Sequence, residues 1–154
     1  MGKWRRLLIV LGLVLALGAA SYATATYLHP FNRYRRAAMG WLEEFDSIAT
    51  ASEQLIEEYH GRESAAGFAE AYREQVLDRW VALQSEVEQY DAPPQVAESH
   101  ALLLLAIQEH AAAATALLEE PGSGGYAAHL EKALQAMNEH PRVFRRERRD
   151  WIGQ

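Results

Sequence analysis

The residues whose spacing could support metal chemistry are Glu57 and His60, which form a Glu-x-x-His pair. Helical di-iron proteins use this spacing because residues three apart lie on one face of a helix. Such a site needs a second Glu-x-x-His and two further glutamates that point into the core. The sequence has no second copy, and Gly61 places His60 at the end of its predicted helix. The pair is therefore predicted to be a surface coincidence, and no metal site is expected.

His100 is the second candidate, because on a helical wheel it shares a face with Leu103 and is expected to point inward. A core histidine can ligate haem, with Met39 or Met137 as a conceivable second ligand. The alternative, which we favour, is a core histidine that donates a hydrogen bond to a backbone carbonyl or a carboxylate. His110 lies about 80° away around the wheel and nearly three turns on, so the two histidines cannot share a metal.

The sequence contains none of the common motifs of nucleophilic or nucleotide chemistry. It has no nucleophile elbow, no His-Glu-x-x-His and no dinucleotide fingerprint. The glycine-rich run at residues 121–125 lacks the lysine and the preceding strand of a phosphate loop. The absence of cysteine excludes disulfides, thiolate metal sites and covalently attached c-type haem. We therefore expect no enzymatic activity and no cofactor.

The elements that carry these residues are predicted to be helices. Ala, Leu, Glu, Gln and Arg dominate, while the β-branched residues that strands need are sparse. Apolar residues recur every three or four positions, and Gly and Pro separate four helices at about residues 30–60, 64–90, 94–120 and 126–139. Their short connections favour an all-α protein whose residues 30–140 form an antiparallel, up-down four-helix bundle.

Stripes of apolar residues define the predicted core. In the first helix the stripe has one polar member, Ser52, among Phe31, Tyr34, Ala38, Trp41, Phe45, Ile48, Leu55 and Tyr59. In the second helix it comprises Phe68, Tyr72, Val76, Trp80, Leu83, Val87 and Tyr90. The third helix is apolar nearly all round, which is typical of the most buried helix of a bundle. The residues of the fourth helix expected to face inward are Leu130, Ala133, Leu134 and Met137.

The N-terminal segment has the properties of a membrane anchor. Three bases lie before an uncharged run of 22 residues, 7–28. As a helix this run spans about 33 Å, enough to cross a hydrocarbon core of about 30 Å. We therefore predict a single transmembrane helix within residues 1–29. The aromatic residues expected at its membrane interfaces are Trp4, Tyr22 and Tyr27.

A cleavable signal peptide is the alternative for this segment. Residues 7–20 have the length of a signal peptide, and Ala-Thr-Ala at 23–25 fits the pattern of a cleavage site. A short N-terminus before a first span usually stays cytoplasmic, although Arg33, Arg35 and Arg36 follow the span and oppose that orientation. We expect a single-pass protein of the cell (inner) membrane with its bundle on the periplasmic side.

Charge is segregated along the chain, although the net charge is only −6. Residues 1–36 carry six bases and no acid, residues 37–141 carry 19 acids and four bases, and residues 142–154 carry five arginines and two acids. An acidic body of this kind excludes nucleic acid, because phosphate binding needs a basic face. The cationic ends favour anionic lipid headgroups or acidic surfaces of partner proteins.

Pro141 is expected to end the fourth helix and to leave residues 141–154 as a basic C-terminal tail. Its arginines suit bidentate contact with carboxylates or phosphates. Leu102 and Leu105 lie on the nominally polar side of the third helix, where a partner could cover them. The residues predicted to face the bilayer or a partner are Trp4, Tyr22, Tyr27, Arg33, Arg35, Arg36, Leu102, Leu105, Phe144, Arg145, Arg146, Arg148, Arg149 and Trp151.

These observations favour a non-enzymatic accessory or scaffold subunit of a larger integral-membrane complex. The anchor would pack beside the transmembrane subunits, and the bundle would brace or cap the complex outside the bilayer. Two alternatives remain at this stage. One is an extracytoplasmic sensor or ligand-binding bundle, and the other is a b-type haem or metal carrier that uses His100.

Overall fold

A computed structural model describes residues 29–60 and 67–152, and these residues are all-α, with no strand among them. A π-helical turn (Arg73–Leu77) joins the helices Phe68–Tyr72 and Asp78–Gln89, and a 3₁₀ turn (Pro94–Val96) precedes the helix Ala97–Glu119. The chain divides into two compact units, Met1–Ala38 and Met39–Gln154. The helices are α1 (Pro30–Tyr59), α2 (Phe68–Tyr72), α3 (Asp78–Gln89), α4 (Ala97–Glu119) and α5 (Gly125–Ile152).

The apolar stripe of α1 is buried as its spacing predicts. In the second unit the stripe residues Trp41, Ile48 and Leu55 are 3%, 0% and 7% exposed. The stripe residues of α1 in the first unit, Phe31, Tyr34 and Ala38, are buried as well. Phe45 and Tyr59 are only half-buried.

The second helical region contains a turn that the periodicity did not predict. Its buried residues Tyr72, Val76 and Trp80 follow one another at spacings of four. Each such step turns an α-helix by about 40° beyond a full turn, so the stripe should drift around the surface. The π turn has more residues per turn because its hydrogen bonds run from i to i+5, and this removes part of the drift. The wider turn thus keeps the three side chains on one buried face.

The helix α4 carries seven buried residues in its 23 positions and lies against both α3 and α5. On a helical wheel these residues cover an arc of about 160°, wider than the stripe of an ordinary surface helix. They are Ser99, Leu103, Ala106, Ile107, Ala111, Ala113 and Ala114. The near-uniform apolarity of this helix is therefore explained by cover on two sides.

One helical stretch in the described part of the chain, Pro94–Glu119, is long and apolar enough to cross a membrane. The core helix of a folded domain passes the same test, and polar groups of this stretch bind its neighbours. The Gln108 amide donates to Glu88 on α3 at 3.0 Å, and Glu109 pairs with His129 on α5 at 2.6 Å. We interpret α4 as a core helix. The span predicted within residues 1–29 falls almost wholly on residues 1–28, which lie outside the described residues.

A tight loop joins α4 to α5, where a glycine-rich loop was predicted. Gly122 and Gly124 have φ angles of 90° and 79°, a left-handed conformation that favours glycine. Both α4 and α5 bury small residues, including Ala106 and Ala113 on the former and Ala133 on the latter. Small side chains allow two helix axes to approach closely, and α4 and α5 pack extensively against each other.

Two predictions about the last helix are wrong. The helix α5 does not end at Pro141 but continues through it to Ile152. His140 and Val143, on either side of the proline, are 5% and 2% exposed, so packing holds the helix together where the proline weakens it. Leu134 does not face inward, since it is 58% exposed, and Ala136 takes its place in the core.

Candidate functional site

The most perturbed histidine of the described residues is His110, which lies in an aromatic cluster with Trp80 and Phe45. The His110 ring stacks on Trp80 with a centroid distance of 4.7 Å and an interplanar angle of 17°. Phe45 meets His110 edge-on at 4.8 Å and Trp80 edge-on at 4.9 Å. Burial lowers the pKa of His110 from 6.5 to about 4, because desolvation disfavours the charged ring. His110 is therefore neutral at physiological pH.

A cavity of about 70 Å³ opens beside this cluster. Segments α1, α2, α3, α4 and α5 all contribute to its wall. Its lining residues are Ala49, Ser52, Glu53, Tyr72, Trp80, His110, Ala113, Ala114, Tyr126 and Leu130. Small alanines leave the space open, and most of the larger lining residues are aromatic or polar.

The polar side of the cavity is built from hydroxyl groups. The Ser52 and Tyr72 oxygens lie 2.7 Å apart in a hydrogen bond. Burial raises the pKa of Tyr72 to about 12, and the hydrogen bond with Ser52 offsets part of that rise. Burial also raises the pKa of Tyr126, which interacts with Ser52 and with the Glu53 carboxylate. Both phenols therefore stay protonated and can donate hydrogen bonds.

His100 occupies a different aromatic cluster. Its ring lies 5.8 Å from Trp41, which packs edge-on against Tyr90 at 5.0 Å and donates its indole N–H to Glu86 at 2.9 Å. Burial lowers the pKa of His100, and a hydrogen bond with the Val87 backbone offsets part of the effect. This environment fits the core histidine favoured above.

The candidate ligands of the haem and metal alternatives are exposed or only half-buried. Of the two conceivable second ligands for His100, Met39 is 49% exposed and Met137 is half-buried. Glu57 and His60 are both exposed. No three side chains of His, Asp or Glu converge on a metal position among residues 29–60 and 67–152.

The basic segment predicted as a tail is instead packed against the N-terminus of α4. The Glu147 carboxylate accepts hydrogen bonds from the backbone N–H groups of Glu98 and Ser99 at 3.0 and 3.2 Å. It thereby satisfies two of the donors that a helix start leaves unpaired, and its charge suits the positive end of the helix. Arg146 donates to the Glu98 carboxylate across the same junction. These contacts tie the last turns of α5 to the body.

The outward face of α5 is a continuous stripe whose chemistry changes along its length. The buried residues of α5 lie within an arc of about 80°, and Arg142, Arg145 and Arg149 project within about 40° of the opposite direction. Towards the start of the helix this face mixes apolar and acidic side chains, with Leu134 58% exposed and Glu131 exposed beside it. We define the outward face of α5 as Ala127, Leu130, Glu131, Leu134, Asn138, Arg142, Arg145 and Arg149.

The other residues predicted to face a membrane or a partner have varied positions. Arg33, Arg35 and Arg36 are exposed in the first unit, whereas Trp4, Tyr22 and Tyr27 lie outside the described residues. Leu105 is 42% exposed and Leu102 is half-buried. Arg146 and Arg148 are exposed and Trp151 is half-buried; Phe144 is half-buried and stacks with His140 at 6.0 Å.

No protein family, no characterised protein and no solved structure matches the chain.

Two features of the sequence indicate residues of the cavity wall, although neither predicts the cavity alone. Ser52 is the one polar member of the α1 stripe, and it is the hydroxyl that the cavity wall presents. His110 continues the 3-4 spacing of Leu103, Ile107 and Ala114, and it lies near the centre of the buried arc of α4. Its neighbour Trp80 comes from a separate helix, so only the tertiary packing brings the cluster together.

Proposed function

We propose that this protein is a non-enzymatic, membrane-anchored accessory subunit that attaches to an integral-membrane complex through the outward face of α5. In this proposal residues 1–29 form the transmembrane anchor. Residues from 30 onward form an antiparallel, up-down bundle on the periplasmic side of the inner membrane, where it braces or caps the complex.

The observation that carries the proposal is the outward face of α5 itself. Its first part has a large exposed side chain, Leu134, and an open groove that also contains Glu131 runs along this part from Ala127 to Arg142. Its basic part presents three arginines on a helix whose backbone is held to the body by Glu147 and Arg146. A helix presents its guanidinium groups in a defined order along one face, which suits paired contacts with carboxylates.

The partner that fits this face is an amphipathic helix with an apolar stripe and an acidic end. The apolar stripe would cover Leu134 and Leu130, and carboxylates would pair with Arg142, Arg145 and Arg149. Before α5, residues 37–124 carry 17 acids and three bases, which would repel an acidic partner. The charge pattern therefore favours the arginine-rich end of α5 as the attachment surface.

The test is co-purification of the full-length protein from membranes in an uncharged detergent, with quantification of the proteins that accompany it. Arg145→Glu and Leu134→Asp each reverse the chemistry of one half of the face. We expect each substitution to reduce a stoichiometric membrane partner by roughly tenfold or more, as loss of a central interface contact does. Raised salt should weaken the wild-type association as well, since exposed charge contacts are screened.

Matched controls lie elsewhere on the surface. Arg73→Glu reverses an exposed arginine outside α5, and Val81→Asp alters a side chain that is 54% exposed on α3. Both control variants should retain the partner. Equal recovery of the partner with Leu134→Asp and Val81→Asp would contradict the proposal, and so would purification of the wild-type protein without any stoichiometric membrane protein.

A further inference from the structure

The cavity beside His110 is partly open to solvent, with the exposed Glu53 in its lining, and it is about twice the volume that one water molecule takes up in the liquid, roughly 30 Å³. A guest in it has two or three non-hydrogen atoms. This size excludes haem, nucleotides and amino acids, and it admits water, a small alcohol, formate or a small ammonium ion.

The charge of the cavity wall determines which of these guests is favoured. Among the lining residues Glu53 is the one with a formal charge at neutral pH, and no lysine or arginine lines the space. The Glu53 carboxylate is close enough to raise the pKa of Tyr126. A carboxylate guest would be repelled by this charge and would find no cation to pair with. A cationic guest is favoured by the same arrangement.

The uncharged groups of the cavity wall can also stabilise a bound cation. The rings of Trp80, Tyr72 and Tyr126 line the cavity, and aromatic rings attract small cations. The Ser52 and Tyr72 oxygens can accept hydrogen bonds in addition to the one they share. The His110 ring makes no hydrogen bond to any described residue, and its neutral form has one nitrogen that accepts.

The π turn that begins after Tyr72 gives this wall its shape. An unbroken α-helix would move Val76 and Trp80 away from Tyr72 around the helix, and the wider turn keeps them aligned. Turns of this kind cost hydrogen-bond quality and are frequent at functional sites.

We propose that this cavity is a binding site for a small ammonium ion, of the size of ammonium or methylammonium, held by Glu53, the ring nitrogen of His110, the Ser52 and Tyr72 oxygens and the surrounding aromatic rings. This role is separate from attachment through α5 and does not rest on it. The site makes the protein responsive to the concentration of such ions in the compartment that its bundle occupies.

The experiment is an NMR titration of the full-length protein, labelled in its histidine rings, in an uncharged detergent. The probes are methylammonium, methanol as its neutral counterpart, formate as an anion and tetramethylammonium as a cation too large for the space. Very small ligands reach a limiting binding free energy per non-hydrogen atom. For the two such atoms of methylammonium, this limit corresponds to a dissociation constant on the order of 5–10 mM. We expect a saturable shift of the His110 ring with methylammonium alone and no shift of the His100 ring.

Two variants connect the response to the cavity. Glu53→Gln should weaken methylammonium binding by about fivefold, since it removes one charge at a partly solvated position. Glu57→Gln, one turn along the same exposed side of α1, should bind as the wild type does. Ala49→Leu places a larger side chain in the cavity wall and should abolish the shift.

Three results would overturn the inference. The first is an equal shift of His110 with methanol, which indicates a cavity without charge selectivity. The second is a shift with formate, which indicates the opposite preference. The third is no shift with any probe at 100 mM, well above the expected constant of roughly 10 mM, which indicates that the cavity holds water alone.

Discussion

At the scale of single residues, the described part of the chain uses histidine as a polar aromatic side chain in its core. His100, His110 and His140 each stack or pack against another aromatic ring, and burial lowers the pKa of all three. Each is therefore neutral at pH 7 and adds ring area without the cost of a buried charge. His129 differs, because it pairs with the Glu109 carboxylate at 2.6 Å.

This use of histidine predicts that acid destabilises the fold. The pKa of His110 is 6.5 in the unfolded reference and about 4 in the folded protein, so between these values the unfolded chain binds more protons. The stabilising contribution is fully present above pH 6.5 and is lost as the pH falls towards 4. Between pH 6.5 and pH 5 the loss from His110 alone amounts to about 2 kcal/mol.

His110→Phe tests this prediction, because phenylalanine keeps the ring against Trp80 and cannot titrate. Urea unfolding at pH 5 and pH 7 should show a smaller difference in the free energy of unfolding for the variant, by about 2 kcal/mol. The control is His60→Phe, which alters an exposed histidine and should leave the pH dependence as in the wild type. The same pH dependence in His110→Phe and in the wild type contradicts a buried, neutral His110.

At the scale of elements, the start of α4 is stabilised by a carboxylate from another helix. Glu147 reaches the first backbone N–H groups of α4 from the last turns of α5, 48 and 49 residues further along the chain. The N-cap residue of α4, Val96, makes no side-chain cap hydrogen bond, and the 3₁₀ turn Pro94–Val96 leads directly into the helix. The last turns of α5 are thus a structural part of the body.

Glu147→Ala should therefore lower the free energy of unfolding by about 1 kcal/mol, as the loss of a helix cap does. The matched control is Glu139→Ala, an exposed position on the same helix with the same change in helix propensity. Chemical denaturation of both variants measures the difference. Equal stability of the two variants is the outcome expected of a loose tail, and it contradicts this assignment.

The elements also show how far sequence patterns reach. The α1 stripe and the four helical regions are predictable because burial imposes a 3-4 spacing on apolar residues. The continuation through Pro141 is not, because local rules give the cost of proline in a helix but not the packing of His140 and Val143 that outweighs it. The prediction that Leu134 faces inward is wrong for a related reason. Its spacing fits an apolar stripe, but smaller residues such as Ala136 occupy the inner positions of the helix. The cavity needs five segments together, and no single stretch of sequence encodes it.

At the scale of the whole molecule, the unanswered choice is between a retained anchor and a cleaved signal peptide. The prediction is that the anchor is retained, because residues 7–28 are long enough to span the bilayer. Intact-mass measurement of protein purified from membranes should then give a mature N-terminus at Met1 or Gly2. Extraction should require detergent. A mature N-terminus at Thr26 would falsify the anchor and assign the body to the soluble fraction of the exported proteins.

The apolarity of α4 matters before the fold is complete, while the chain is still being made. The helix α5 covers part of α4 and follows it in the chain, so α4 leaves the ribosome before that cover exists. An exported chain would present this long apolar helix to the insertion channel, which sorts segments by their hydrophobicity. Glu98 and Glu109 oppose its entry into lipid, since a carboxylate at membrane depth is costly. If the chain is exported as proposed, these two glutamates would favour release of α4 from the channel into water, in addition to the contacts they make in the finished fold.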